Sequence, residues 1–157
     1  MIEISYKTPD ILVIKNSDKK EVLFHTQERK AFLEEFDVTH PGEYEKSGNL
    51  LEVRKYTDIL FYKFLIDGKH LCIVTSDAFD LKEDIISFFG DVDILIIIGS
   101  KDAVKVYENI EAKVVIPYGE GKDLFLSTTG QHPEALKSYK LGAELDGDKT
   151  EFINLEG

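Results

Sequence analysis

Four histidines (His25, His40, His70 and His132), one cysteine (Cys72) and an aspartate in a Ser76-Asp77 step are the side chains of this 157-residue chain with ready chemistry. A hydrolytic zinc site takes three or more protein ligands and leaves one position open for water, so several such groups must converge on loops. Asp77 follows a strand-like run and is of ligand type, yet it equally suits a loop cap facing Ser76 or the helix start at Asp80. His25 closes an early strand and could approach Asp77, but two ligands without a third give only adventitious metal binding. His40 stands in a turn before Pro41, His70 follows a hairpin turn and His132 precedes Pro133, all of them turn or solvent contexts. Cys72 sits among Leu71, Ile73 and Val74, where a buried thiol behaves as a small hydrophobe and keeps its proton. Ser127-Thr128-Thr129-Gly130 belongs to neither a Gly-x-x-x-x-Gly-Lys phosphate loop nor a Gly-x-Ser-x-Gly elbow, and reads as a helix end.

The elements that must position these residues fall into two halves. In the first, Ile2-Glu3-Ile4 alternates, Ile11 to Ile14 is a short apolar run, and Glu21 to His25 carries Val22, Leu23 and Phe24, with Asn16-Ser17-Asp18 as the turn between them. Phe32, Leu33 and Phe36 suggest a short helix or turn within Thr26 to Phe36. Leu50 to Val53 and Ile59 to Ile66 read as antiparallel strands, and Asp67-Gly68 as a hairpin turn into Leu71 to Thr75. In the second half the period changes. Asp80-Leu81-Lys82-Glu83 predicts a capping box opening a helix that ends at Gly90. Ile94 to Ile98 is an unbroken β-branched and leucine run suited to a central strand covered on both faces. Ala103, Val106, Tyr107 and Ile110 share one face of a second helix opened at Asp102, and Lys113 to Ile116 is the next strand. This βαβαβ order implies a parallel sheet section. Helical pieces are predicted over Gly121 to Thr129 and Pro133 to Tyr139, and a closing strand over Glu151 to Leu155.

Composition excludes several classes. The chain is 43% hydrophobic and 31% charged, which suits one folded domain over residues 1–157 with a sizeable core. A net charge of -11 without a dense basic cluster argues against a nucleic-acid partner. The apolar run at Ile94 to Ile98 is far short of the ~20 residues of a spanning helix, so no membrane association is expected. The single cysteine and the absence of a secretion signal lead to the expectation of a cytoplasmic protein.

More specific words lie in the chain. His40-Pro41-Gly42-Glu43-Tyr44-Glu45 followed by Gly48, then Ile66-Asp67-Gly68, Leu71-Cys72-Ile73, Gly90-Asp91-Val92-Asp93-Ile94-Leu95 and Lys113-Val114-Val115-Ile116-Pro117 occur in this order. Together they resemble the metallo-β-lactamase-fold hydrolases, in particular a small bacterial branch similar to the ascorbate-6-phosphate lactonase group. The resemblance implies an αββα sandwich of mixed α/β class, two sheets face to face with helices outside, and in active members a metal centre at one edge of the sandwich.

Against that family pattern the ligands are missing. Nothing between His25 and Pro41 reproduces the His-x-His-x-Asp-His motif, and no histidine lies in Tyr56 to Tyr62. The family's Gly-Asp is matched by Ser76-Asp77, its closing histidine after Ile-Pro is replaced by Tyr118-Gly119, and its glycine-rich loop after the central strand is reduced to Gly99-Ser100. The expectation is a trimmed, metal-free and catalytically degenerate member without cofactor. Its vestigial edge is Asp77, Ser100 and Tyr118, and Tyr118 either plugs the vacated pocket or anchors a protein partner or second copy. The alternative is a divergent metal-dependent hydrolase of phosphoesters or lactones, using Asp77 with His25 or His40.

Overall fold

Strand alternation and three short helices account for nearly all of the structure, a computed structural model that describes residues 1–141 and 149–156. The first five strands are β1 (Ile2–Thr8), β2 (Ile11–Lys15), β3 (Glu21–His25), β4 (Lys30–Leu33) and β5 (Phe36–Val38). β6 (Gly42–Lys46), β7 (Asn49–Tyr56), β8 (Ile59–Ile66) and β9 (Lys69–Val74) follow. Then come α1 (Glu83–Phe89), β10 (Ile94–Ile98), α2 (Ala103–Asn109), β11 (Val114–Tyr118) and α3 (Lys122–Thr128). β12 (Ala135–Leu136), β13 (Ser138–Leu141), β14 (Glu151–Phe152) and β15 (Asn154–Leu155) close the chain.

One sheet has the order β13-β1-β2-β3-β4-β5, antiparallel throughout. The other has the order β14-β11-β10-β9-β8-β7-β6 and is parallel across β9, β10, β11 and β14. Period-two alternation turns Ile2, Ile4, Leu12, Ile14, Val22 and Phe24 of the first sheet inward. They meet Tyr62, Phe64, Ile73, Ile94, Ile96 and Ile116 of the second in one core between the sheets. The β10 run does what its composition predicts. Ile94 and Ile96 face that inter-sheet core, while Leu95 and Ile97 face a second core under the helices, with Phe88 of α1, Val106 of α2 and Phe125 of α3. All three helices lie on the outer side of the second sheet. Among the described residues, the layers therefore run helix, sheet, sheet.

Three local expectations are corrected. Residues 26–36 form no helix but the hairpin into β4 and β5, because Ala31 and Leu33 alternate inward while Phe32 faces out. The turns are made by Arg29 and Glu34 at positive φ, 57° and 55°, without the glycine that would have announced them. The Asp80 capping box does not form: α1 starts at Glu83, behind Lys82, with no side-chain cap. Phe79 and Leu81 are drawn against the helix-side core instead, Phe79 edge-on to Phe61 at 5.0 Å. Residues 133–139 are not helical either. Tyr139 and Leu141 alternate inward and β13 completes the first sheet beside β1.

Candidate functional site

The C-terminal ends of β9, β10 and β11 lie side by side, because the parallel register aligns Ile97 with Val74 and Ile98 with Tyr118. Asp77, Ser100 and Tyr118 all belong to these three ends, so the positions singled out by the family pattern share one edge of the sandwich.

Ser100 Oγ donates a 2.6 Å hydrogen bond to Asp77 Oδ2 and accepts one from the Ala103 backbone N–H at 3.0 Å. It is Ser100 that caps the first turn of α2. Asp102, expected in that role, has helical dihedrals and makes no side-chain cap. Asp77 is thus the acceptor at the end of a short chain of hydrogen bonds that ties β9, β10 and α2 together.

Tyr118 is only 2% exposed. Its ring turns into the inter-sheet core and stands edge-on to Phe24 at 5.6 Å, and Phe24 in turn stands edge-on to Tyr62 at 6.3 Å. The Tyr62 hydroxyl donates to the Arg29 carbonyl at 2.9 Å, pinning the β3–β4 turn over this end. The Tyr118 hydroxyl is buried without a hydrogen-bond partner among the described residues. Burial raises its pKa well above the ordinary phenol value, against a smaller opposing pull from Arg29, and burial likewise pushes Tyr62 up to about 12.

Backbone closes what the ring leaves. Gly121, just before α3, comes so near β10's end that a Cβ on it would lie 2.1 Å from the Gly99 carbonyl oxygen. A Cβ on Gly99 would meet Lys122 N at 2.5 Å.

The histidines lie elsewhere. His25 follows inward-facing Phe24, so alternation puts it on the outer face of the first sheet, its ring tilted 41° against that of Phe32 with centroids 4.6 Å apart. It faces away from the inter-sheet core. His40 is exposed between β5 and β6, its Nδ1 2.8 Å from Thr39 Oγ1, and its carbonyl accepts from the Tyr44 hydroxyl at 2.6 Å. His70 is the second residue of β9, at the opposite end of the parallel strands, and donates its backbone N–H to Asp93 Oδ2. His132 is exposed in the loop after α3. Cys72 is fully buried and burial pushes its thiol up to about 12, so it stays protonated.

Two grooves deserve comparison. The larger, about 900 Å³, is lined by His70, Asp93, Glu111 and Lys113 and so lies at the N-terminal ends of β9, β10 and β11, away from Asp77. The other, about 630 Å³, runs between residues 77–81 and α2, with Asp77, Asp80, Asp102 and Lys105 along it and no histidine. Among the described residues, no three His, Cys, Asp or Glu side chains lie close enough together to share a metal ion. The donors at this edge therefore do not fit a hydrolytic zinc, which needs at least three. No helix of the described residues is long and apolar enough to cross a membrane.

No protein-family model matches the chain, and no curated protein sequence does. Among solved structures, a crystal structure of a candidate Zn-dependent hydrolase of the metallo-β-lactamase superfamily from Thermotoga maritima superposes with a TM-score of 0.76. The match covers 100% of both chains at 15% sequence identity. At that identity the likeness speaks for architecture, and with the strand order, the parallel section and the layer of helices it leads to one statement: this chain has the metallo-β-lactamase fold.

Proposed function

We propose that this is a metal-free, catalytically degenerate protein of the metallo-β-lactamase fold, whose role is binding or assembly rather than hydrolysis. The observation that supports the reading best is Tyr118. It stands where the family pattern calls for a ligating histidine, and its ring lies inside the core as part of the packing with Phe24. The carboxylate that matches the family's aspartate is engaged by Ser100, and His25 and His40, its nearest candidates for co-ligands in the sequence, face outward or lie in an exposed turn. A hydrolase using Asp77 with either histidine would need both elements to be rebuilt.

Elemental analysis of protein purified without chelator, followed by calorimetric titration with zinc, tests this. Substoichiometric metal and no saturable site tighter than about 10 μM are expected, along with a melting temperature unchanged by chelator, since a bound structural metal contributes folding free energy directly. About one tightly held metal per chain, or a melting temperature that falls when chelator is added, overturns the reading.

A further inference from the structure

We propose that β6, the edge strand of the second sheet, binds an extended segment of a partner protein in which lysine or arginine alternates with apolar residues, adding it as a further strand. In this mode main-chain hydrogen bonds supply the attachment and alternate side chains the specificity. Among the described residues β6 is the longest of the four strands at sheet ends, with five residues against four, three and two in β13, β5 and β14. It pairs with β7 alone, and Gly42, Glu43 and Glu45 are exposed.

The hairpin fixes which backbone groups face outward. Ser47 and Gly48, both at positive φ, form a two-residue turn flanked by the pair Lys46–Asn49. The flanking pair of such a turn exchanges hydrogen bonds, and hydrogen-bonded pairs then recur at every second residue, Tyr44–Leu51 and Gly42–Val53. The N–H and C=O groups of Glu43 and Glu45 therefore point away from β7, open to a new strand.

Side chains select the occupant. Glu43 and Glu45 lie on the same outer face, and neither carboxylate is paired with a cation among the described residues. Basic side chains of the same three strands have other acceptors: Lys46 turns to Glu34 and Glu35, Arg54 to Glu52, and Lys63 to the Phe88 carbonyl at 3.1 Å. Between the two carboxylates, Tyr44 faces the inter-sheet layer. Phe36 of β5, across from inward-facing Leu33, is directed there too, yet it is 50% exposed because the layer opens at this edge, its ring 6.0 Å from that of Tyr44. A strand laid antiparallel on β6 sets two side chains beside the carboxylates and the one between them beside Tyr44 and Phe36. The order that fits is basic, apolar, basic. A second copy does not fit: every antiparallel register of β6 on itself that uses the open groups sets one glutamate opposite another, and like charges directly opposite are destabilising. The net charge of -11 likewise attracts a basic segment and repels an acidic one.

An added strand of about five residues is at the small end of specific contacts, so the binding is weak and reversible. It gives a partner class to the binding role proposed above and involves no metal, so the zinc titration and a peptide titration fail separately.

NMR titration of the intact, isotope-labelled chain with a capped peptide of alternating lysine and valine, about seven residues long and up to about 1 mM, tests it. Saturable shifts centred on β6 are expected. Amide hydrogen exchange should slow at least ~10-fold at Glu43 and Glu45 and less than ~3-fold at Tyr44, whose N–H is already in the ladder. A peptide of the same composition with its lysines and valines in two blocks should bind at least ~10-fold more weakly. Glu43→Lys with Glu45→Lys should weaken binding of the lysine peptide at least ~10-fold and admit a peptide of alternating glutamate and valine. Glu45→Pro, which removes an outward N–H and is tolerated on an edge strand, should weaken binding more than Glu45→Gln does. Glu108→Lys with Glu111→Lys makes the same change in net charge on the helix side and should shift binding less than ~3-fold. No saturable binding, equal binding of the two lysine peptides, unchanged exchange at Glu43 and Glu45, or equal effects of the two glutamate pairs overturns the proposal.

Discussion

Replacing Tyr118 by alanine and, separately, by phenylalanine separates the two halves of this side chain. The ring is buried in the inter-sheet core against Phe24, and the hydroxyl is buried with no partner among the described residues. Removing a core aromatic ring costs about 3–5 kcal/mol, the lost transfer energy plus the cavity left behind. Removing an unsatisfied buried hydroxyl returns about 1–3 kcal/mol. The net expectation for Tyr118→Ala is a loss of about 2 kcal/mol, which at roughly 2–4 °C per kcal/mol for a chain of this size lowers the melting temperature by about 4–8 °C. Tyr118→Phe keeps the ring and deletes the orphan, so it should be neutral or stabilising by up to about 2 kcal/mol. Urea unfolding at constant m reads both. A Tyr118→Ala variant within about 0.5 kcal/mol of wild type would show that the ring fills nothing. A Tyr118→Phe variant destabilised by more than about 1 kcal/mol would show that the hydroxyl has a partner and that the edge is built around a polar group.

Three other expectations follow from the same structure. Ile96 is fully buried between the sheets on the central strand, so Ile96→Asp should abolish soluble folding through an unpaired buried charge while Ile96→Val costs only about 1 kcal/mol; soluble, cooperative unfolding of the aspartate variant would move β10 out of the core. Gly121→Ala would put its Cβ 2.1 Å from the Gly99 carbonyl oxygen, and the backbone shift should cost about 1–3 kcal/mol in the same urea assay, where an unchanged midpoint would mean that the two segments are not in contact. Burial pushes Tyr62, Tyr139 and Cys72 up to about 12 and raises Tyr118 and Tyr6 as well. The unfolded chain ionises these groups near 9 to 10 while the folded one keeps them protonated, so stability is full below about pH 9 and falls as pH rises through 12, each group contributing up to about 1.4 kcal/mol per pH unit; a flat urea midpoint from pH 9 to 11.5 would refute it.

Elements whose own residues dictate them were legible in the sequence. The β10 run is apolar on both faces and lies between two cores, and the Asp67-Gly68 step does turn β8 into β9. The β4–β5 hairpin was not legible, because its turns use Arg29 and Glu34 at positive φ and its outward Phe32 gives Phe32, Leu33 and Phe36 a helical spacing. The start of α1 was misplaced because side-chain packing of Phe79 and Leu81 outweighs a local cap. At the site, the family pattern pointed to Asp77, Ser100 and Tyr118 together, and the structure gathers them on one edge. What spacing could not show is the bond between Asp77 and Ser100, 23 residues apart, or that alternation carries His25 to the opposite side of the first sheet.

On the proposed metal-free reading, this edge of the sandwich has to be stable without an ion. Converging metal ligands are costly in a bare site, since each imidazole or carboxylate gives up water and receives its compensation from the ion. In this chain the cost is met locally. Asp77 accepts from Ser100, Ser100 is in turn occupied by the first turn of α2, and the space beside them holds a phenol ring and two glycines in backbone contact. Only the Tyr118 hydroxyl lacks a partner here among the described residues. The edge is thus close to an ordinary piece of core with one polar atom left over, and that atom is why the alanine and phenylalanine variants of Tyr118 should move stability in opposite directions.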